Sequence, residues 1–248
     1  MSGRRLSLGA LALAALMMLG PDLASAQEIT LSLGDEGSIS ARSIQLILLI
    51  TVLSLAPGLI IMVTCFPFIV TVLAILRQAI GLQQSPPNML IVSLALFLTY
   101  FVMEPVFMQA WQEGINPLIN DQIDNAQAID LTLQPFRGFM AARVDPETYI
   151  SMAQLRPGVE IAELTPDAPL SVLVPSFLLS EIARAFQIGF LVFLPFLIID
   201  LVVAAVLMSM GMMMVPPVIV SLPFKLAFFV IADGWSLIAG ALVRGYMN

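Results

Sequence analysis

Apolar residues along this chain fall in a few long blocks, with neither the alternation of a half-exposed strand nor the period of a surface helix. Residues 44–76 contain no charged side chain, and a second block runs from Met89 to about Ala110. A third stretch, residues 185–224, contains Asp200 as its single charge. A hydrocarbon core about 30 Å thick needs a helix of about 20 apolar residues, so blocks of this length predict membrane spans.

Proline and glycine divide the first half of the apolar sequence into a helical hairpin. Pro57 and Pro67 interrupt residues 44–76 and predict a kinked span. Residues 81–88, which combine Gly, Gln, Ser, Pro and Asn, have the composition of a turn. We expect the second span to follow this turn and to be broken at Glu104-Pro105.

The third apolar stretch, residues 185–224, is too long for one span. Gly211 and Pro216-Pro217 mark a turn within it. We therefore expect a third helix from about Phe186 to Met210 and a fourth from about Val218 to Val243.

The polar sequence between the two apolar halves, from residue 111 to about 170, predicts short helices outside the membrane. The predicted fold class is an all-α membrane protein with about four Pro-broken helical membrane segments, arranged as two hairpins with a small periplasmic helical region between them. The predicted parts are a signal peptide (1–26), a periplasmic N-terminal tail (27–43), a first membrane helical hairpin (44–110), a periplasmic region (111–184) and a second membrane helical hairpin with a Met-rich gate loop (185–248).

The N-terminus has the three parts of a cleavable secretory signal peptide. Arg4 and Arg5 form a basic region, residues 6–19 are apolar, and Ala24 and Ala26 occupy the small-residue positions of a cleavage site. A helix over the apolar part would span about 21 Å, short of a hydrocarbon core of about 30 Å, which argues against a permanent anchor. We expect cleavage after Ala26, with an uncleaved anchor as the alternative. Cleavage would place the polar region outside the cytoplasm and the Met-rich loop inside.

Composition agrees with a membrane location and limits the partners. Apolar residues make up 59% of the 248 residues and charged residues 11%, whereas soluble domains have about 45 to 50% and about 25%. The net charge is −7, and the polar region is predominantly acidic. We therefore expect membrane lipid, and no nucleic acid, among the partners.

The sequence has little material for catalysis or metal binding. It contains no histidine, which excludes His-ligated metals, Ser-His-Asp triads and histidine acid–base chemistry. Its single cysteine, Cys65, cannot form an intramolecular disulfide. Ser221 and Lys225 have the i, i+4 spacing of a Ser/Lys dyad, but we expect Pro223 to interrupt the helix between them. The sequence therefore predicts no enzyme, no cofactor and no metal.

Methionine is concentrated at the predicted turn of the second hairpin. Five of the chain's 15 methionines fall within seven residues. They are Met208, Met210, Met212, Met213 and Met214. Methionine side chains are flexible and polarizable, so a ring of them could close a pore and still deform around varied passing polypeptide. The alternative is that these methionines only fill gaps in packing.

Four charged residues in or beside the apolar stretches are candidates for buried pairs. Glu181 and Arg184, at i, i+3, can pair on one helix face. Asp200 and Lys225 have no charged neighbour in sequence. They can pair between helices or subunits, or line a wet path for ions, because an isolated charge near the bilayer centre is costly.

Several runs of sequence occur in the order and spacing of one known family. They are Ser85-Pro86-Pro87-Asn88, Leu94–Thr99, Pro175–Glu181, Ala185–Phe190, Phe193–Val202, the methionine cluster, Pro216-Pro217, Ser221–Lys225 and Asp233-Gly234-Trp235. In these runs the chain closely resembles the FliP family of flagellar biosynthesis proteins, whose relatives in virulence type III secretion are called SctR. Ser176 stands where that family usually has alanine.

The resemblance implies a subunit of the flagellar export gate. Several copies would assemble with FliQ and FliR, beside FlhA and FlhB, into a channel for unfolded flagellar proteins in the bacterial inner membrane at the flagellar basal body. The gasket role would fall on the five clustered methionines, and subunit contacts on Glu181 and Lys225. Two other hypotheses stay open. One is a secondary transporter or ion channel with Asp200 and Lys225 in its pathway, and the other is a purely structural assembly factor that leaves no channel in the finished complex.

Overall fold

The computed structural model describes residues 39–82, 85–156, 163–212 and 214–247, apart from the side chains of residues 39–42 and 56. The helices in these ranges are α1 (Ile39–Met62), α2 (Phe66–Ile80), α3 (Asn88–Ala110), α4 (Asn116–Ile119), α5 (Asn125–Ala141), α6 (Pro146–Gln154), α7 (Leu170–Ser209), α8 (Pro217–Ile231) and α9 (Gly234–Met247). A π-helical segment, Trp111–Ile115, follows α3. The predicted signal peptide, with Ala24 and Ala26, lies outside the described residues.

Within the described part of the chain, three helical stretches are long and apolar enough to cross a membrane: Ser43–Met62, Asn88–Ile119 and Leu170–Ser209. Helices α8 and α9, bent by 61° at their junction, make a fourth candidate if they form one span. Large apolar side chains are exposed along α1, α3 and the second half of α7. Such a surface requires lipid or protein partners. The chain is therefore an all-α membrane protein, as its sequence predicts.

The first apolar block forms two helices where the sequence predicts one kinked span. Helix α1 begins at Ile39 and continues through Pro57, and the chain breaks at residues 63–65 instead. Pro67 lies in the first turn of α2, where a missing N–H leaves no hydrogen bond unmade. Gly81 ends α2 in the left-handed conformation, with φ +89°. The break therefore lies just before a helix start that accommodates Pro67, and not at the interior proline Pro57.

Two other prolines also lie inside continuous helices. Helix α3 runs through Pro105 and α8 runs through Pro223, so both predicted interruptions were wrong. An interior proline removes one backbone donor and strains one turn, but in an apolar surrounding the remaining backbone groups still need their helical partners. The helix therefore continues past the proline.

The predicted single fourth helix is divided instead at residues 232–233. Asp233 adopts a positive φ of 47° there, and α9 begins at Gly234. A Cβ at Gly234 would lie 2.2 Å from Cε2 of Phe229, so only glycine allows this close approach. The expectation of one helix over Val218–Val243 was therefore wrong.

Helix α7 is the longest element, with 40 residues. At 1.5 Å per residue it extends about 60 Å, twice the thickness of a hydrocarbon core. The prediction that it begins near Phe186 was wrong, because the helix starts at Leu170 and its first half, which carries Glu181 and Arg184, packs against other parts of the protein. Buried positions recur there at helical spacing: Val172, Leu173, Ser176, Phe177, Ser180, Glu181, Ala185 and Gly189. In the second half only Phe196 and Leu207 are buried.

Two groups of buried side chains hold the helices together around α7. One lies in the polar region and combines Met140, Tyr149 and Phe177, from α5, α6 and α7. The other is centred on α2. Helix α2 approaches α7 closely at Gly189, where an added Cβ would lie 2.4 Å from Cδ1 of Ile75. The polar region is thus a folded helical unit packed on the first half of α7.

Candidate functional site

Three features follow one another along α7 and its C-terminal turn. They are the Glu181 cluster (Glu181, Arg143, Arg184 and Tyr246), the Asp200 cluster (Asp200, Lys225 and Ser221) and the methionine turn (residues 208–214). The first two contain every charged site residue that the sequence analysis singled out, and the third contains the clustered methionines.

Glu181 is fully buried and lies between two arginines. Its Oε1 is 3.5 Å from Arg143 Nε and 3.6 Å from Arg184 Nη1. These separations make ion pairs, and neither Oε1 nor Arg143 Nε has a hydrogen-bond partner among the described residues. The Tyr246 hydroxyl donates to Oε2. This compensation is needed because an unpaired carboxylate taken out of water is strongly destabilising.

Arg143 connects the polar region to the C-terminal helix. Its guanidinium carbon lies 4.0 Å from the centroid of the Tyr246 ring, a cation–π contact, and its Nη1 donates to the Gly245 carbonyl at 3.0 Å. The cluster therefore joins the end of α5 to α7 and α9. Sequence reasoning assigned no role to Arg143 or Tyr246, because contacts between groups 102 residues apart leave no local pattern.

Asp200 and Lys225 pair directly between α7 and α8. Lys225 Nζ lies 2.6 Å from Asp200 Oδ2 and also donates to the Ala79 carbonyl of α2 at 3.1 Å. Ser221 donates its hydroxyl to Asp200 Oδ1 at 2.5 Å. Lys225 and Ser221 are buried, and the Asp200 side chain is 27% exposed. Three helices thus meet at one locally neutral ion pair.

This arrangement does not form the Ser/Lys dyad considered from the sequence. Ser221 and Lys225 lie on one unbroken helix, contrary to the expected interruption at Pro223, and both donate to Asp200. The Lys225 side chain donates to Asp200 and to the Ala79 carbonyl, and Ser221 donates to Asp200, so Lys225 is not positioned as a base for the Ser221 hydroxyl. The geometry fits structural pairing between helices.

The methionine turn is built on a Schellman motif that ends α7. Gly211 adopts a left-handed φ of +73°. Its N–H donates to the Met208 carbonyl at 3.1 Å, and the Met212 N–H donates to the Leu207 carbonyl at 2.9 Å. Two carbonyls at the helix end are thereby satisfied within the turn. Pro216 occupies the position just before the following helix, and Pro217 begins that helix. The turn is therefore set by local sequence.

The described methionine side chains of this turn are exposed within this chain. Met208 is 62% exposed, Met210 is 66%, Met212 is 43% and Met214 is 98%. Met213 lies outside the described residues. Side chains this exposed contribute little to packing within one chain, so a gap-filling role within the monomer does not explain them.

The polar region is tied to α7 through Asp145 and Ser180. Asp145 accepts from the Thr148 N–H at 2.9 Å and from the Thr148 hydroxyl at 2.8 Å, which caps α6 and lowers the pKa of this carboxyl below its ordinary value of 3.8. The Asp145 N–H in turn donates to Ser180 Oγ at 3.0 Å, and Ser180 donates to the Ser176 carbonyl at 2.8 Å. The loop that carries Arg143 is therefore held against α7 beside Glu181.

Comparison with known protein families gives a match over most of the chain. The model of the FliP family matches residues 49–242. This range includes α2, Glu181, Asp200 and the whole methionine turn. This chain belongs to the FliP family. The resemblance inferred from the sequence runs is confirmed.

Three curated relatives from the FliP family match most of this chain and most of their own lengths. A protein named flagellar biosynthetic protein FliP from Agrobacterium fabrum is 46% identical over 94% of this chain and 96% of its own length. Proteins of the same name from Caulobacter vibrioides and Bacillus subtilis are 47% and 44% identical, over 92% and 87% of this chain and 86% and 96% of their own lengths. The similarity therefore includes the polar region and is not confined to the apolar helices.

Proposed function

We propose that this chain is a core subunit of the flagellar type III protein export gate, in the bacterial inner membrane at the flagellar basal body. Several copies would assemble with FliQ and FliR, beside FlhA and FlhB, into a channel for unfolded flagellar proteins. Membership of the FliP family and the names of its curated relatives support a role in making the flagellum. The exposed apolar surface of the helices supports assembly into a larger membrane complex.

The exposed methionine turn is the observation that carries the channel proposal. It presents flexible, uncharged side chains at a helix end, where copies arranged around an axis would bring several turns together. A ring of such side chains would exclude water and ions when closed. It would also yield to passing chains of different sequence, because methionine offers neither charge nor a rigid shape.

The proposed topology follows from the predicted signal peptide. A cleaved N-terminus outside the cytoplasm would place the polar region, residues 111–169, and the start of α7 in the periplasm. The methionine turn would then lie at the cytoplasmic end of α7. A helix of about 60 Å is long enough to join a periplasmic unit to a cytoplasmic turn.

The Asp200 cluster supports this proposal over a transporter or ion channel that uses Asp200 and Lys225. A charge in an ion pathway must exchange partners with the passing ion. Here Asp200 is engaged by both Lys225 and Ser221, and Lys225 also contacts a backbone carbonyl. These contacts favour a structural role for the pair.

The test replaces Met208, Met210, Met212, Met213 and Met214 together by alanine in the native host. We expect increased leak of small ions across the inner membrane, with an assembled complex of normal size, because the seal is lost while the backbone turn remains. Export of flagellar subunits is expected to change at the same time.

A matched control replaces Met89 and Met247, which are 80% and 70% exposed and lie away from the turn. This control should leave both leak and export at wild-type levels. A tight membrane with normal export in the five-alanine variant would remove the basis for a methionine gasket. An equal leak in the control would show that exposed methionine in general, and not this turn, is responsible.

A further inference from the structure

A cavity of about 420 Å³ lies beside the Glu181 cluster, lined by residues of α2, α7 and α9 together with Arg143. Arg143 and Arg184 form its charged part. The remaining wall is apolar and includes Phe68, Ile188 and Leu237. The cavity therefore combines a cationic end with an apolar body. A molecule that fills it should have an anionic group at one end and be apolar over the rest.

The cationic end carries more positive charge than its protein contacts neutralise. Arg143 and Arg184 both pair with one carboxylate, Glu181. Asp145 interacts electrostatically with Arg184 but forms no ion pair with it. The Asp145 carboxylate instead accepts hydrogen bonds from Thr148. The Arg184 side chain is 39% exposed, so part of its guanidinium is open to a further anion.

One wall of the cavity follows α7 away from the polar region. Arg184, Ile188 and Val192 all line it and lie at i, i+4 and i+8, on one helix face. At 1.5 Å per residue this face runs about 12 Å from the charged end into the apolar half of α7. The charged end thus lies beside the folded polar region, as a lipid headgroup would, and the apolar wall runs along the membrane-crossing part of α7.

We infer that this cavity binds one anionic glycerophospholipid. Its phosphate lies at Arg143 and Arg184, and one acyl chain lies along Ile188 and Val192. Basic pockets between membrane helices favour anionic headgroups because the guanidinium groups are partly withdrawn from water and screened less by salt. A zwitterionic lipid brings a positive charge to the same place, so it should bind more weakly.

The test titrates the purified full-length protein in detergent with phosphatidylglycerol and, separately, with phosphatidylcholine, and counts bound lipid by native mass spectrometry. The wild-type protein should prefer phosphatidylglycerol by about fivefold or more, since one basic residue near a lipid headgroup contributes about that factor. Arg184→Gln should remove most of this preference. Arg244→Gln is the matched control, because Arg244 is an exposed arginine in the last turn of α9 that does not line the cavity. Equal preference in all three proteins, or equal loss in both variants, would overturn the inference.

A second variant separates a lipid in the cavity from charge attraction at the surface. Ala241→Phe fills part of the apolar body and leaves both arginines in place. It should weaken phosphatidylglycerol binding while elution on size exclusion stays normal. Unchanged binding would place the lipid outside the cavity and overturn the inference.

A photo-crosslinking residue at Ile188 identifies the occupant directly. The expected product carries the mass of a phospholipid. Crosslinking mainly to a second copy of the chain would assign the cavity to a subunit interface and would also overturn the inference.

Discussion

Lys225 places its ammonium 2.6 Å from the Asp200 carboxylate, across two helices and 25 positions of sequence. The same ammonium contacts the last turn of α2 through the Ala79 carbonyl. One side chain therefore links α2, α7 and α8, about two helical turns before the methionine turn begins on α7. The pair has a structural role, so removing one partner should lower the free energy of unfolding.

Lys225→Met should destabilise the protein by about 3 kcal/mol, because it leaves the Asp200 carboxylate without its cation in a largely apolar setting. Partial exposure of Asp200 keeps the effect at the lower end of the range for buried pairs. Denaturant unfolding of the purified protein in detergent measures it. The double variant Asp200→Asn with Lys225→Met should recover more than half of the loss. Additive losses in the double variant would contradict a direct pair.

Ser176→Ala should stabilise the protein by about 1 kcal/mol. Ser176 is fully buried, and its hydroxyl has no hydrogen-bond partner among the described residues, so the native side chain carries an uncompensated desolvation cost. The same measurement on Ser180→Ala is the control. Ser180 makes two hydrogen bonds one turn further along α7, and its removal should destabilise by about 1 kcal/mol. Effects of the same sign at both serines would contradict this assignment.

Gly211→Ala should cost about 1 kcal/mol, since alanine is strained at the left-handed φ that ends α7. Space is not the reason, because nothing lies within 4 Å of a Cβ at this position. Gly138→Ala is the matched control: it also has open space, but it lies inside α5, where alanine should stabilise by about 0.5 to 1 kcal/mol. Thermal unfolding of the two variants should shift in opposite directions, and a stabilised Gly211→Ala would rule out the Schellman turn.

Asp145 should make the polar region sensitive to acid. Its folded-state pKa lies below the ordinary 3.8, because the ionised carboxylate accepts two hydrogen bonds from Thr148. The stability from this cap is therefore fully present above about pH 4 and is lost as the pH falls through the depressed pKa. Asp145→Asn keeps a capping oxygen without the titration, so its unfolding temperature should fall less between pH 5 and pH 3 than that of the wild type. If the unfolding temperatures of the two proteins fell in parallel with pH, Asp145 would not contribute to the acid sensitivity.

Local sequence was enough to predict the membrane class, the family and the main turns. Uncharged runs of membrane-spanning length predict apolar helices, because no other element satisfies its backbone in hydrocarbon. Gly211 with the prolines after it predicts a helix end, since a left-handed cap is a property of a few neighbouring residues. The sequence runs shared with the FliP family predicted a membership that the family comparison confirms.

Only the tertiary structure decided where the helices end elsewhere and which charges meet. Pro105 and Pro223 predicted breaks, but packing and an apolar surrounding hold the helices together across them, while the chain breaks at residues 63–65 and 232–233. Arg143, in the loop after α5, and Tyr246, on α9, are brought to Glu181 of α7 by the folding of the chain, and residues so far apart in sequence leave no local pattern. Local preferences act over a turn or two of chain, whereas buried charges find partners through the fold as a whole.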